Sequence, residues 1–160
     1  MLKTKILFLC TGNSCRSQIA EAIANHYFND VFEAVSAGTK PAGVNPLSVK
    51  VMAEEGIDIS KARSKNVSEF AGRNFDYVIT LCGGAKETCP VFPASVKKLH
   101  WDLPDPAAAK GGDEEVLAVF RAVGKDIKKR LSEFAASLKT HNGRKPGGID
   151  IYLDGGGRKL

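Results

Sequence analysis

The fold is decided by residues 5–17, which read KILFLCTGNSCRS. Lys5 to Cys10 contains a short continuous apolar run, which is typical of a strand buried on both faces. A loop rich in Gly, Asn and Ser follows it. From Ser17 onward, apolar residues recur at helical spacing: Ile19, Ala20, Ile23, Ala24, Tyr27 and Phe28. The stretch therefore predicts a buried strand, a short loop and a helix, in that order.

The next two elements are marked by the residues at their ends. Phe32 to Ala37 predicts a second strand, which Gly38 ends. Asn45 suits a helix N-cap, Pro46 suits the first helical position and Gly56 suits a C-terminal stop. A helix of about ten residues is expected between them.

Two further apolar runs and a long helix complete the pattern. Residues 75–81 and 96–101 predict strands, and Asp113 predicts the cap of a long helix. The apolar stripe of that helix consists of Val116, Phe120, Val123, Ile127, Leu131, Phe134 and Leu138. The order β-α-β-α-β-β-α predicts an α/β fold: a small open parallel sheet of about four strands, flanked by helices on both faces.

Length and composition point to one folded domain with a basic tail. The 160 residues fit a single domain, to which we assign residues 1–138. Residues 139–160 are rich in Gly, Lys and Arg and carry much of the formal charge of +5. Alternating Ile149, Ile151 and Leu153 would allow an added edge strand there. Because no aromatic residues interleave with the basic ones, we expect a solvated tail and no nucleic-acid partner.

The cysteine content favours a reducing compartment. The four cysteines are too few and too scattered for a secreted disulfide scaffold. The amino-terminal residues do not resemble a targeting signal, and no apolar segment reaches membrane-spanning length. We expect a cytoplasmic monomer with no membrane contact, in which cysteines are catalytic or metal-binding.

The loop after the first strand predicts an oxyanion site. Five residues separate Cys10 from Arg16 at a strand–helix junction, where backbone N–H groups and a helix N-terminus create positive potential. Gly12 permits close backbone approach, and the Arg16 guanidinium can hold two anion oxygens. The predicted oxyanion-binding residues are Thr11, Gly12, Asn13, Ser14, Cys15, Arg16 and Ser17.

The same field would make Cys10 a nucleophile. A helix N-terminus and a nearby arginine stabilise the thiolate, which is the reactive form, and hydroxyls of Ser14 or Ser17 could help. The alternative is a buried core cysteine beside an unrelated surface Arg16. The placement of the pair between strand and helix, with Gly12 and Ser17 in register, favours the catalytic interpretation.

Residues 10–17 resemble the phosphate-binding loop of the low-molecular-weight protein tyrosine phosphatases and the related arsenate reductases, with similarity over roughly residues 1–138. The resemblance implies a small parallel sheet with flanking helices. It also implies a general acid, an Asp before Pro in a late loop, which this chain offers as Asp105 before Pro106. Without the loop, that dipeptide would simply indicate a turn.

The segment LCGGAKETCP, residues 81–90, separates the two activities. Cys82 follows the third strand directly, so it should lie at the same sheet edge as Cys10. Reduction needs two electrons that phosphate hydrolysis does not, and nearby thiols can supply them. In the arsenate reductases that this segment resembles, the cysteines matching Cys82 and Cys89 do so.

The resemblance thus implies a thioredoxin-dependent arsenate reductase with a Cys10/Cys82/Cys89 disulfide relay and no bound cofactor. If the whole interval from Cys82 to Cys89 were helical, its ends would lie about 10 Å apart, too far for a disulfide. We therefore predict that any helix there unwinds on oxidation. Gly83 and Gly84 would ease the change, and the mobile 82–93 segment would expose the disulfide to its reductant.

Other interpretations stay open. Cys82 and Cys89 could be incidental, although a zinc site would need further Cys or His ligands that the sequence does not supply, so no metal is expected. A low-molecular-weight tyrosine phosphatase is the alternative enzyme. Such phosphatases usually carry Pro at the position of Gln18 and an aromatic residue at that of Ala107. A non-catalytic anion- or thiol-sensing module is the third possibility.

One departure concerns potassium. Some of these reductases bind K⁺ through residues matching Asn13, Glu21 and Ser36, together with a Thr and an Asp. Here those last two positions are Arg63 and Lys65. Cations at these positions would repel a metal ion and could replace it, so we expect no potassium site. Asn13 is instead expected to hold the loop conformation.

Overall fold

The computed structural model describes residues 2–87, 89–93 and 95–142. Four parallel strands form one sheet in the order β2-β1-β3-β4. The strands are β1 (Thr4–Cys10), β2 (Phe32–Gly38), β3 (Tyr77–Thr80) and β4 (Lys97–His100). The helices are α1 (Arg16–Tyr27), α2 (Pro46–Glu54), α3 (Gly83–Glu87) and α4 (Asp113–Asn142), with short 3-10 turns at Val67–Phe70 and Pro106–Ala108.

Strand β1 fixes the position of the site. Its consecutive residues Ile6, Leu7, Phe8 and Leu9 are all fully buried, which requires cover on both faces of the sheet. The predicted open parallel sheet is confirmed. Because β1 pairs with β2 on one side and β3 on the other, the loop after Cys10 leaves the sheet where the chain order reverses. Open α/β sheets bind ligands at that point, beyond the carboxyl ends of the strands.

The predicted helices are confirmed in outline. Asn45 caps α2, its Oδ1 accepting a hydrogen bond from the Leu47 N–H at 2.9 Å. The predicted stripe of α4 faces the core and is joined there by Leu117 and Ala135. Asp113 is the first residue of α4 rather than its cap.

Helix α3 was not predicted as an element, and β3 and β4 are shorter than expected. Five residues that begin with two glycines carry neither the propensity nor the periodicity of a helix. The strand-flanking residues are still held by the sheet, since the Asp76 N–H donates to Lys5 O and the Trp101 N–H to Thr80 O.

Helix α4 continues through Asn142, four residues beyond the predicted domain boundary. Residues 143–160 lie outside the described residues, so the proposed basic tail and its strand-like alternation stay predictions. Among the described residues, no helix is long and apolar enough to cross a membrane.

Candidate active site

The backbone of residues 10–14 is turned so that its carbonyls point out of the loop. Donors outside the loop hold these carbonyls: Thr39 N–H on Cys10 O, Lys40 N–H on Thr11 O, Ala42 N–H on Gly12 O, Ser64 Oγ–H on Asn13 O and Asn45 N–H on Ser14 O. The N–H and C=O of a trans peptide point in opposite directions. The amide N–H groups of residues 11–15 are therefore directed to the other side, into the loop.

Helix α1 adds its own donors to this cradle. It begins at Arg16, and Cys15 in the N-cap position makes no side-chain capping hydrogen bond. The first N–H groups of a helix have no partner within the helix, and they carry its positive potential. The loop and the helix start together suit a tetrahedral oxyanion, as the sequence predicted.

Asn13 locks the loop in this conformation. It is fully buried and adopts a left-handed backbone with φ of 49°. All four hydrogen-bonding positions of its amide are used: Nδ2 donates to Ser17 Oγ and Ser36 Oγ, while Oδ1 accepts from Gln18 Nε2 and the Lys65 N–H. These bonds offset the cost of a left-handed conformation in a non-glycine residue. The predicted structural role of Asn13 is supported by each of them.

The nucleophile candidate, Cys10, is buried and lies within hydrogen-bonding distance of a serine hydroxyl. Cys10 Sγ and Ser17 Oγ lie 2.8 Å apart. Between a thiol and a hydroxyl either atom could donate, but a Cys10 thiolate can only accept, so Ser17 Oγ would then donate to the sulfur while it accepts from Asn13 Nδ2 at 2.7 Å. A hydroxyl that donates to sulfur stabilises the thiolate over the thiol. Of the two serines that the sequence offers, Ser17 is the one whose hydroxyl contacts Cys10, whereas Ser14 Oγ contacts Cys15 Sγ at 3.3 Å.

Arg16 is poised on the other side of the loop. Its largely buried guanidinium donates through Nη1 to Leu103 O at 3.1 Å, and Nη2 lies 3.8 Å from Asp105 Oδ1. Its Nε is buried and has no hydrogen-bond partner among the described residues. Buried donors are rarely left unpaired in native proteins. An anion held in the loop would give this arginine the partner that the protein does not supply.

Asp105 lies in a turn and also at the rim of the loop, so both of the roles that the sequence suggests for it are compatible with its position. Its Oδ1 accepts from the Ala107 N–H at 3.0 Å and caps the 3-10 turn, so it is a turn residue. The same carboxyl is half exposed and faces Arg16, which places it at the rim of the loop. A general acid needs both access to the reacting oxygen and a fixed orientation. The turn supplies the orientation, and Ala107 leaves the rim without an aromatic side chain.

Cys82 reaches the loop from the neighbouring strand. Its buried Sγ lies 3.3 Å from Thr11 Oγ1, so a second thiol contacts the residue next to Cys10. Sheet register explains this meeting, because Leu81 continues β3 alongside β1 and donates its N–H to Leu9 O. The Ala85 N–H of α3 also donates to Cys82 Sγ at 3.3 Å. The prediction that Cys10 and Cys82 share one sheet edge is confirmed.

Burial raises the pKa of the other two thiols. For Cys15, desolvation dominates and outweighs hydrogen bonds from Ser14 and Ser48, so it stays a neutral thiol under the loop. For Cys89, burial again raises the pKa, and the positive charge of Lys98 opposes the shift. Both stay protonated near neutral pH.

The cation position examined in the sequence is occupied by a side chain of the protein. Lys65 Nζ lies 3.4 Å from Glu21 Oε1, and Ser36 Oγ donates to the same carboxylate oxygen at 3.0 Å. Arg63 turns outward and forms a two-point ion pair with Glu69. An ammonium against the only carboxylate of the set repels a second cation. These residues do not fit a potassium ion. In the described residues, no group of three or more Cys, His, Asp or Glu side chains is placed to hold a metal.

Gly38 allows the loop to pass close to β2. A Cβ at this position would lie 2.5 Å from Thr11 O and 2.9 Å from Asn13 N, too close for either backbone atom. We expect Gly38→Ala to destabilise the fold by about 1–3 kcal/mol and to weaken phosphate binding. Denaturant unfolding and calorimetry would measure both effects.

Gly124→Ala is the matched control for that variant. Gly124 lies within α4, and a Cβ added there would be 4.0 Å from the side chains of Ile19 and Met52, which is an ordinary contact distance. The free energy of unfolding should therefore be unchanged or rise by up to about 1 kcal/mol, because alanine favours a helix more than glycine does. Equal stability and phosphate affinity in the Gly38 variant would contradict the proposed packing.

Sequence reasoning missed several residues that shape the loop. Ser64 holds Asn13 O, Ser48 Oγ donates to Ser14 O at 3.0 Å, and Gln18 Nε2 ties Asn13 to Arg63 O. In the sequence, Gln18 is visible only as a departure from the phosphatase pattern. Ser48 in α2 and Ser64 in a loop lie 34 and 51 residues along the chain from their partners, and neither gives a local signal of such a contact.

Comparison with known proteins identifies the family to which the chain belongs. Residues 5–144 match the low molecular weight phosphotyrosine protein phosphatase family. An arsenate reductase of Halalkalibacterium halodurans is 48% identical over 139 residues, which is 87% of this chain and 100% of that protein.

Two solved structures are also similar. An arsenate reductase in the oxidised state superposes with a TM-score of 0.70 at 31% identity, over 84% of this chain and 98% of the other. A thioredoxin-dependent arsenate reductase of Corynebacterium glutamicum gives a TM-score of 0.67 at 31% identity, over 87% of this chain and 63% of the other. The chain therefore belongs to the low molecular weight phosphotyrosine protein phosphatase family, in the branch that includes arsenate reductases.

Proposed function

We propose that this protein reduces arsenate to arsenite, with Cys10 as the nucleophile and Cys82 and Cys89 as the source of electrons. The contact between Cys82 Sγ and Thr11 Oγ1 carries this proposal, because it brings a second buried thiol to the anion loop. A phosphatase needs one thiol there, whereas a reductase needs at least two. The relatives named arsenate reductase support the same substrate.

The reaction begins with formation of a bond between sulfur and arsenic. The Cys10 thiolate attacks arsenate held by residues 11–17, and an oxygen leaves arsenic as water after Asp105 provides a proton. The loop N–H groups and Arg16 hold the remaining oxygens and their negative charge. Arsenic is still As(V) in this adduct, so no electron has yet been transferred.

Reduction follows when the second thiol attacks. The Cys82 thiolate attacks Cys10 sulfur, the S–S bond forms, and the electron pair of the S–As bond goes to arsenic, which leaves as As(III) arsenite. Cys89 then attacks Cys82 sulfur and releases Cys10 as a thiolate. The remaining Cys82–Cys89 disulfide takes two electrons from an external dithiol protein, for which we propose thioredoxin. No bound cofactor takes part in these steps.

The second disulfide requires α3 to change. The helix occupies five of the six residues between Cys82 and Cys89. A disulfide needs Cα atoms about 4.4–6.8 Å apart, and a helical interval of that length spans about 10 Å. We expect formation of the bond to unwind α3, which covers residues 83–87 of this interval, at Gly83 and Gly84. Because the cycle starts from three reduced thiols, it fits a reducing compartment such as the cytoplasm.

A direct assay tests this function against its alternative. Purified protein is supplied with arsenate, thioredoxin, thioredoxin reductase and NADPH, and separately with an aryl phosphate. We expect repeated turnover of NADPH that depends on arsenate, with slow ester hydrolysis at most. Fast hydrolysis without NADPH consumption would instead indicate a tyrosine phosphatase. If the protein shows neither activity but binds inorganic phosphate, it would instead be an anion-sensing module.

A further inference from the structure

A chain of polar contacts runs from Lys65 to the nucleophile. Lys65 Nζ faces Glu21 Oε1 at 3.4 Å, Ser36 Oγ donates to that oxygen at 3.0 Å, and Asn13 Nδ2 donates to Ser36 Oγ at 3.0 Å. The second Nδ2 proton of Asn13 goes to Ser17, whose Oγ contacts Cys10 Sγ.

The direction of these bonds depends on a charged Glu21. A carboxylate accepts only, so Ser36 must donate to it and is left to accept from Asn13. Without this acceptor, the Ser36 proton could rotate towards Asn13 Nδ2, which is also a donor, and the hydrogen bond between them would be lost. The negative charge at Glu21 therefore keeps Ser36 in place as one of the two acceptors of the Asn13 amide. That amide fixes the left-handed turn of the loop and the orientation of Ser17.

A half-buried carboxylate needs a cation beside it. The side chains of Glu21 and Lys65 are 24% and 14% exposed, so solvent screens the pair only in part. The Lys65 main chain is fixed independently, because its N–H donates to Asn13 Oδ1 and its carbonyl accepts from the Gly38 N–H at 2.8 Å. A change of the side chain can thus remove the charge and leave these backbone bonds in place.

We propose that the Lys65 ammonium is an internal cation that positions Glu21, Ser36 and Asn13 under the oxyanion loop. It takes the place that a potassium ion would have in related reductases, so oxyanion binding by this protein does not depend on potassium. Lys65 is a positioning residue: it acts through Asn13 on the oxyanion site proposed above and does not contact the reacting atoms.

Lys65→Met tests the charge while retaining most of the side-chain length. The probe is inorganic phosphate, whose affinity is measured by calorimetry at constant ionic strength in potassium chloride or choline chloride. We expect the natural protein to bind phosphate equally in both salts. The variant should bind about tenfold more weakly, and iodoacetamide should alkylate its Cys10 several-fold more slowly at pH 7. Potassium should partly restore the variant, because Glu21 is then free to take a cation.

Three further variants separate the charge from general damage to the structure. Lys65→Arg should restore phosphate affinity to within about twofold, and Lys61→Met should match the natural protein, since Lys61 is an exposed lysine of the same segment. In Glu21→Gln, adding Lys65→Met should have little further effect, because Lys65 acts through Glu21. This double-mutant comparison still tests the proposal if Lys65→Met folds poorly by itself, because it is measured in the Glu21→Gln background.

Natural phosphate affinity in Lys65→Met would overturn the proposal, as would a natural protein that binds phosphate more tightly in potassium. A Lys65→Arg variant as weak as Lys65→Met would also overturn it. These measurements need no arsenate turnover, so they stand apart from the test of reductase activity.

Discussion

Replacement of Cys10 by Ser is expected to lower arsenate reduction by at least about a thousandfold. The hydroxyl of serine is a far weaker acid than a thiol, so Ser17 and the start of α1 cannot hold it as an anion near neutral pH. A serine also cannot form a disulfide, which removes the path by which electrons reach arsenic. Steady-state NADPH consumption with arsenate and thioredoxin measures the loss.

Phosphate binding should survive in the same variant. The loop N–H groups and Arg16 would hold the anion, and the hydrogen bonds that fix the loop carbonyls, Asn13 and Arg16 do not use the Cys10 sulfur. We expect phosphate affinity within a few fold of the natural protein and a similar melting temperature. If turnover persisted at a tenth of the natural rate, another thiol would have to be the nucleophile. If the variant lost phosphate binding together with activity, the substitution would have disrupted the conformation of the loop.

Replacement of Cys82 or Cys89 by Ser is expected to stop the cycle at two different points. Without Cys82, nothing attacks the Cys10 adduct, so arsenite should not be released. Without Cys89, one equivalent of arsenite should be released per protein, after which Cys10 and Cys82 remain joined. In both variants, NADPH turnover with thioredoxin should fall by at least about a hundredfold.

Single-turnover measurements distinguish the two variants. Arsenite released per protein is quantified after mixing with excess arsenate, and mass spectrometry of proteolytic fragments identifies the disulfide. The Cys89 variant should yield a linked Cys10–Cys82 fragment, whereas the natural protein without thioredoxin should yield Cys82–Cys89. Multiple turnovers in either variant would contradict the relay, and both variants should still bind phosphate.

Hydrogen exchange adds a test of the conformational step. The amides of α3 should exchange faster once the Cys82–Cys89 disulfide has formed, because the bond is too short for the helical spacing. The Cys89 variant, oxidised between Cys10 and Cys82, is the matched control and should keep α3 protected. Equal protection in reduced and fully oxidised protein would rule out the unwinding.

Much of the fold and of the chemistry could be predicted because the signals are local. Residues 5–17 contain a buried strand, an anion loop and a helix start within one short stretch, and the parallel sheet follows from alternating strands and helices. Cys82 could be placed near Cys10 because the carboxyl ends of parallel strands meet at one edge. The contact between Cys82 Sγ and Thr11 Oγ1 is a consequence of that rule.

The details of the loop could not be predicted in the same way. The donors on its carbonyls come from residues 39–45 and from Ser64, and neither segment shows a pattern that marks it as a partner. Helix α3 is too short and too rich in glycine to be recognised from periodicity. The Cys82 thiol lies just before α3 and accepts a hydrogen bond from the Ala85 N–H in its first turn.

The sequence by itself determined which groups are available: a nucleophilic thiol in an anion loop, an arginine, a late aspartate and two further thiols. Only the tertiary structure decided how they are held. It set the four bonds of Asn13, the contact between Ser17 Oγ and Cys10 Sγ and the pairing of Lys65 with Glu21. The physical reason is distance along the chain. Lys65 and Glu21 are brought together only when the sheet and its covering segments have packed, and no local propensity encodes that meeting.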